Sequence, residues 1–253
     1  MKSIIFAKRT LTEILRDPLS YIFCLGFPLL MLILMSIINE SIPAEANMDV
    51  FQIQNLAPGI AVFGLTFVML FTCLQVSKDR ATAFLIRLYA APIKSHEFII
   101  GYTYPVILIA VIQSFITFLS AIVIGAVNGY SFHLINIVIC VLVLLPSAFL
   151  FIGFGLFIAT LLSEKAAPGI CSILITASCM LGGIWMDVDA IGGTLAKVCK
   201  ALPFYHGVSA ARMAISGHYH ELLKPLVIIS VYAVVIYLLA VFLFKRKMQS
   251  DVS

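Results

Sequence analysis

Six stretches of this chain run for about twenty residues or more with no Asp, Glu, Lys or Arg in their interior: 19–38, 56–76, 98–127, 134–162, 167–186 and 226–244. A bilayer core of about 30 Å takes about 20 apolar residues at 1.5 Å each. Once a segment lies in hydrocarbon, its backbone polar groups must be satisfied within it, which leaves the helix as the only spanning form for single apolar runs of this length. The expected fold class is therefore an all-α membrane protein of six spans, one unit over residues 1–253. Composition agrees. Only 11% of the residues are charged, against about 25% in a soluble domain. Such a chain cannot cover itself with polar surface, so lipid is expected to be its solvent.

Lys and Arg in the flanks set the orientation. Lys2, Lys8, Arg9 and Arg16 precede the first span, and Lys78, Arg80, Arg87 and Lys94 lie between the second and third. Lys165 follows the fourth, and Lys245, Arg246 and Lys247 follow the sixth. Those twelve outnumber the four in the connection 187–225 (Lys197, Lys200, Arg212 and Lys224). Both termini are expected in the cytoplasm, in a cell (inner) membrane. The net charge of +4 then reflects membrane asymmetry and calls for no nucleic acid. Ala44-Glu45-Ala46 could pass for a signal-peptidase site, but the apolar run before it exceeds the 7–15 residues of a secretory core, so the segment reads as a retained span.

Two connections break the apolar pattern. In residues 77–98, Ala81, Phe84, Leu85 and Leu88 keep an apolar stripe at helical offsets among Lys78, Asp79, Arg80, Arg87, Lys94 and Glu97. A short two-faced helix is expected there, resting on headgroups, on the chain's own helices or on a partner. Residues 187–225 show two short faces, Val188, Ile191, Leu195, Val198, Leu202 and then Phe204, Val208, Ala211, Ile215, hinged at Pro203. This reads as an outer hairpin dipping into the leaflet, with Trp185, Phe204 and Tyr205 at interfacial depth. A third amphipathic stretch opens the chain. Ile4, Ala7, Leu11 and Ile14 share a face, and Asp17-Pro18 marks the turn into the first span.

The motifs of chemistry are missing. There is no G-x-x-x-x-G-K-[ST] loop, no H-E-x-x-H, and no Ser–His pair within the spans. No ionisable group lies at membrane depth, where ion-coupled carriers keep theirs. His218-Tyr219-His220-Glu221 reads as an exposed turn rather than a metal site, and the cysteines as small buried hydrophobes. No catalytic and no metal residue is expected. One polar stripe, Gln113, Thr117 and Ser120, crosses the third span at offsets 0, 4 and 7. It either bonds neighbouring helices or lines a translocation surface.

The order of these parts resembles the type-2 exporter permeases of the ATP-binding-cassette family. The first matching region is Asp79-Arg80, Phe84-Leu85-Ile86-Arg87-Leu88, Ala91-Pro92-Ile93 and His96-Glu97-Phe98. The second is Gly183-Ile184-Trp185, then Leu202-Pro203-Phe204-Tyr205, then Arg212 before Gly217. The resemblance implies a half-transporter that pairs with a second permease chain, identical or not, and with two separate ATPase subunits. It implies that ATP and Mg are bound by those subunits and that this chain holds no cofactor. Arg80, Phe84, Leu85, Arg87 and Leu88 would form the ATPase-coupling helix, and the outer hairpin with Trp185, Pro203, Phe204, Tyr205 and Arg212 would shape the exit. Uncharged spans favour a hydrophobic or amphipathic cargo. The alternatives are an ATP-independent carrier or channel, or a membrane-embedded assembly protein.

Overall fold

The computed structural model describes residues 2–18, 22–42, 49–81 and 95–250, and every regular element among them is helical. The chain opens with α1 (Lys2–Arg16). A π turn (Ile22–Gly26) then leads into α2 (Phe27–Ser41). Next come the long helices α3 (Ile53–Ala81) and α4 (Ser95–Val127). They are followed by α5 (Leu134–Val143), α6 (Leu145–Leu161) and α7 (Ala167–Leu181). Three shorter helices, α8 (Val188–Ile191), α9 (Gly193–Ala201) and α10 (Pro203–Ser216), precede the last, α11 (Leu223–Ser250).

Five helical stretches are long and apolar enough to cross a membrane: Ile22–Ser41, Ile53–Arg80, Glu97–Val127, Leu134–Leu161 and Leu223–Arg246. They coincide with five of the six expected spans. The expected fifth span, 167–186, is the 15-residue α7. At 1.5 Å per residue it reaches only about 22 Å. The helix stops because Gly182 and Gly183 follow, and Gly183 turns the chain at φ 72°. The remaining residues of that apolar run, through Trp185, form the turn into the hairpin.

The expected fourth span is two helices, α5 and α6, in one line. Pro146 has no N–H to donate to the carbonyl four residues back, and the helix breaks at Leu144.

The core centres on α3, which packs against α2, α4, α6, α7 and α10. Leu56, Ile60, Leu65, Val68 and Met69 are fully buried on it. Its closest neighbour is α6, where a Cβ on Gly155 would lie 2.5 Å from the Met69 carbonyl oxygen. Only glycine allows the two backbones to approach so far, the packing device expected between helices that share an apolar solvent. Outward faces of α2, α4 and α11 carry Leu30, Ile33, Ile37, Leu119, Val123, Leu238 and Phe242 into the surroundings, as lipid-facing surface does.

Helix α1 and the end of α11 gather at one end of the bundle. Phe98, near the start of α4, meets Phe6 of α1 (5.7 Å between ring centroids) and Phe244 of α11 (5.8 Å). At the opposite end lies the hairpin. It is more deeply set than the leaflet-dipping form its sequence predicts. Phe204, Val208, Ala211 and Ile215 are buried as expected, and so are His206, Gly207, Ala210 and Ala214. Helix α10 therefore has packed neighbours on several sides, chiefly α3, α5 and α11.

Candidate functional site

At the α1 end, the amphipathic first helix turns Phe6, Ala7, Thr10 and Ile14 into the bundle and leaves Lys8, Thr12, Leu15 and Arg16 outside. The Phe6 ring stands edge-on to Tyr102 of α4, 4.8 Å between centroids. Beside it lies a cluster of charges and polar groups. Arg9 Nη2 is 2.6 Å from Glu13 Oε1 on the same helix and 3.7 Å from Asp79 Oδ1 at the end of α3. Gln75 Nε2 donates to Glu13 Oε2 at 2.9 Å, and the Tyr102 hydroxyl donates to Asp79 Oδ2 at 2.7 Å. Asp79 is only 5% exposed, so this carboxylate depends on those partners.

The next residue, Arg80, points the other way. Its guanidinium donates to the carbonyls of Ala159 and, at 3.3 Å, Leu162, at the end of α6. Those carbonyls are among the last of their helix, which have no intrahelical partner. The end of α3 is thus fastened to α1 and α4 by Asp79 and to α6 by Arg80. The other residues of the expected coupling helix, Phe84, Leu85, Arg87 and Leu88, lie outside the described residues.

The polar stripe of the third expected span lies inside the chain. Gln113 and Thr117 are each 1% exposed, and Ser120 is half-buried. Gln113 Nε2 donates to Thr117 Oγ1 (3.1 Å), which donates in turn to the Gln113 carbonyl (2.9 Å). The Gln113 amide occupies the space over Gly64 of α3, where a Cβ would come within 1.9 Å of Nε2. Gln113 Oε1 is buried and has no hydrogen-bond partner among the described residues.

At the hairpin end, Asp187 caps α8 by accepting from the Asp189 and Ala190 backbone N–H groups. Pro203 opens α10, where a missing N–H costs nothing. Phe204 stacks on Phe151 of α6, and Trp185 stands edge-on to Phe63 of α3. Asp189 joins the hairpin's helices: Lys200 Nζ lies 2.6 Å from Oδ1, and the Tyr205 hydroxyl donates to Oδ2 at 2.8 Å. Lys200, first, and then Tyr205 hold the Asp189 carboxyl below the usual carboxylate range. Burial, with Asp189 beside it, pushes Tyr205 up to about 12. Arg212 donates from Nε to the Asn55 carbonyl (3.1 Å) and so ties α10 to the start of α3. Burial lowers its pKa to about 10, against the pull of the Asp187 carboxylate, so it stays cationic at neutral pH. Asp187, Asp189, Tyr205, Ser209, Arg212 and His218 line a cavity of about 220 Å³ here.

The pairings of Arg9, Asp79 and Arg212 are absent from what the sequence alone establishes. The Arg9–Glu13 spacing of four residues on a helix face was a usable signal. The partners of Asp79 and Arg212 were not legible, since Tyr102 and Asn55 belong to other helices. Among the described residues, no three His, Cys, Asp or Glu side chains gather as a metal site.

A family model described as the ABC-2 type transporter matches residues 3–215, from α1 into the last turn of α10, taking in the first region singled out from the sequence and the second through Arg212. Among curated proteins, none matches the chain.

Proposed function

The chain belongs to the ABC-2 type transporter family and is a membrane transporter permease, and from that premise we propose that it is one half of the membrane part of an ATP-driven exporter. A second permease chain would complete the pathway. Two separate ATPase subunits would bind ATP and Mg and dock from the cytoplasm on the connection between α3 and α4. The exporter direction, the partners and the cytoplasmic placement of both termini are parts of this reading. So is a hydrophobic or amphipathic cargo, favoured because no charged side chain interrupts the apolar helices.

The observation that carries the reading is the fastening of the last turn of α3. A connection that delivers force needs rigid roots. Asp79 and Arg80 supply them, tying the point where the chain leaves α3 to three other helices. ATP-driven closure of the docked subunits would then pull on α1, α3, α4 and α6 from this end. The Gln113–Thr117 seam would become a translocation surface only if α3 and α4 part, since both side chains are now enclosed. The hairpin, braced by Arg212 on α3, would feel the same motion at the far end.

The test uses Phe84, on the apolar stripe of the connection. Phe84→Asp is expected to abolish co-purification of the ATPase subunit while the permease still inserts and dimerises. A fully coupled complex from that variant would refute docking through this face and favour a helix that rests on headgroups alone.

A further inference from the structure

The cavity at the hairpin end holds two opposite charges that do not meet. Asp187 and Arg212 both line it, and among the described residues no ion pair joins them. The other acidic group there is already spent: Asp189 gives Oδ1 to Lys200 and Oδ2 to the Tyr205 hydroxyl. Asp187 is exposed and commits Oδ1 to the two backbone N–H groups of the α8 cap. Arg212 commits Nε to the Asn55 carbonyl, while Nη2, sealed over Gly59, has no acceptor among the described residues. A charged donor kept from water without a partner is costly, so this guanidinium has unspent capacity for an acceptor.

Size and charge narrow what the cavity can take. At about 220 Å³ it is smaller than the sites of drug-sized ligands, which run from about 300 Å³ upward, so only a group of a few heavy atoms fits. A lone anion would meet Arg212 and be repelled by Asp187, and a lone cation would meet the reverse. A group that carries both signs satisfies both walls. The guanidinium fork matches a phosphate, and a carboxylate accepts from a primary ammonium. Trp185 and Tyr205 beside the cavity suit the interfacial depth at which lipid headgroups lie. We propose that this cavity binds a phosphoethanolamine group, its phosphate on Arg212 and its ammonium on Asp187, presented by a lipid of the surrounding bilayer. The ammonium has to be primary, because a trimethylammonium has no N–H to donate. The site stands on the hairpin's own charges and needs neither an ATPase subunit nor export.

Native mass spectrometry of the full-length permease in detergent reads which lipid stays bound and how many molecules each chain keeps. With short-chain phosphatidylethanolamine, one molecule per chain is expected, held about tenfold more tightly than phosphatidylcholine or phosphatidylglycerol of the same chain length. Asp187→Asn keeps an oxygen for the α8 cap and removes the charge, so it should erase that preference. Arg212→Gln should weaken phosphatidylethanolamine and phosphatidylglycerol alike. If Arg212→Gln does not fold, Asp187→Asn, with its melting curve unchanged, decides alone. Free phosphoethanolamine should compete only weakly; competition as strong as the lipid's would support the same charge chemistry with the soluble molecule as occupant. Equal retention of the three lipids would overturn the site, and so would a preference that survives Asp187→Asn. Displacement of the lipid by inorganic phosphate would also overturn it, by revealing a simple anion site. No ATPase enters these measurements, so a permease that failed to pair with one would count against the proposed function and leave this site intact.

Discussion

Gln113 is the residue whose environment is most at odds with its chemistry. A buried amide wants up to four hydrogen bonds. Here one donor meets Thr117, and Oε1 has no partner among the described residues. The helical offset of Gln113 and Thr117 was readable from sequence, and the choice between bonding a neighbouring helix and lining a pathway was left open. Their bond closes within α4, so it holds no second helix. What the amide does across the interface is fill the notch over Gly64. No sequence signal pairs position 113 with position 64, because the match depends on how α3 and α4 cross. Removing a polar group whose acceptor is unsatisfied need not cost stability, whereas breaking a satisfied interhelical bond costs about 0.6 kcal/mol on average. Gln113→Leu is therefore expected to melt at or above the native temperature and to change export. A lower melting temperature with unchanged export would assign the residue to packing alone.

The hairpin shows, at the scale of elements, what periodicity reveals and what it hides. The second face, Phe204, Val208, Ala211 and Ile215, and the hinge at Pro203 were legible from spacing and residue type, whereas Ile191, Leu195 and Val198 of the first expected face stand exposed and Ala196 and Cys199 turn inward instead. The hairpin's depth was not legible either. Amphipathic spacing marks one buried face, but the small residues Gly207, Ala210 and Ala214 let α10 sink until further sides are covered. A small residue in sequence does not say whether it faces a helix or lipid. The span before it was misjudged in length for a related reason: hydropathy counts Gly182, Gly183 and Trp185 as membrane-compatible, while the glycine turn ends the helix. The hairpin's own small core, Val188, Ala196 and Cys199 against Tyr205, is closed on its polar side by the Asp189 cluster. The folded-state pKa of Asp189 lies below its ordinary value, so its contribution is present above the usual carboxylate range and is lost as pH falls through the depressed value. The contribution is modest, because the pair is largely exposed. Trp185, the sole tryptophan, lies just before the cluster and reports on it. Acidification below about pH 4, the ordinary carboxylate value, is expected to shift Trp185 fluorescence in one reversible step, and Asp189→Asn should remove that step. A step that persists in the variant would locate the titration elsewhere.

For the molecule as a whole, the two ends of the bundle differ in kind. One gathers α1, the end of α3, the start of α4 and the last turns of α6 and α11, with twelve of the sixteen Lys and Arg residues in its flanks. The other carries the hairpin and the remaining four. Membrane insertion keeps basic flanks inside, so the α1 end is expected to face the cytoplasm. That orientation is required by the docking argument, because ATP is available only there. The position of α1 and the end of α11 at one end makes the assignment a single binary choice: if one marker is placed, all are. Lys165, exposed just after α6, marks the α1 end, and Glu221, exposed between α10 and α11, marks the hairpin end. All six native cysteines are buried, so an introduced one should stand above background. A membrane-impermeant maleimide applied to intact cells is expected to modify Glu221→Cys and to leave Lys165→Cys untouched until the membrane is opened. The opposite pattern would place the end of α3 and the connection it roots on the side without ATP, and the permease would then need another source of work.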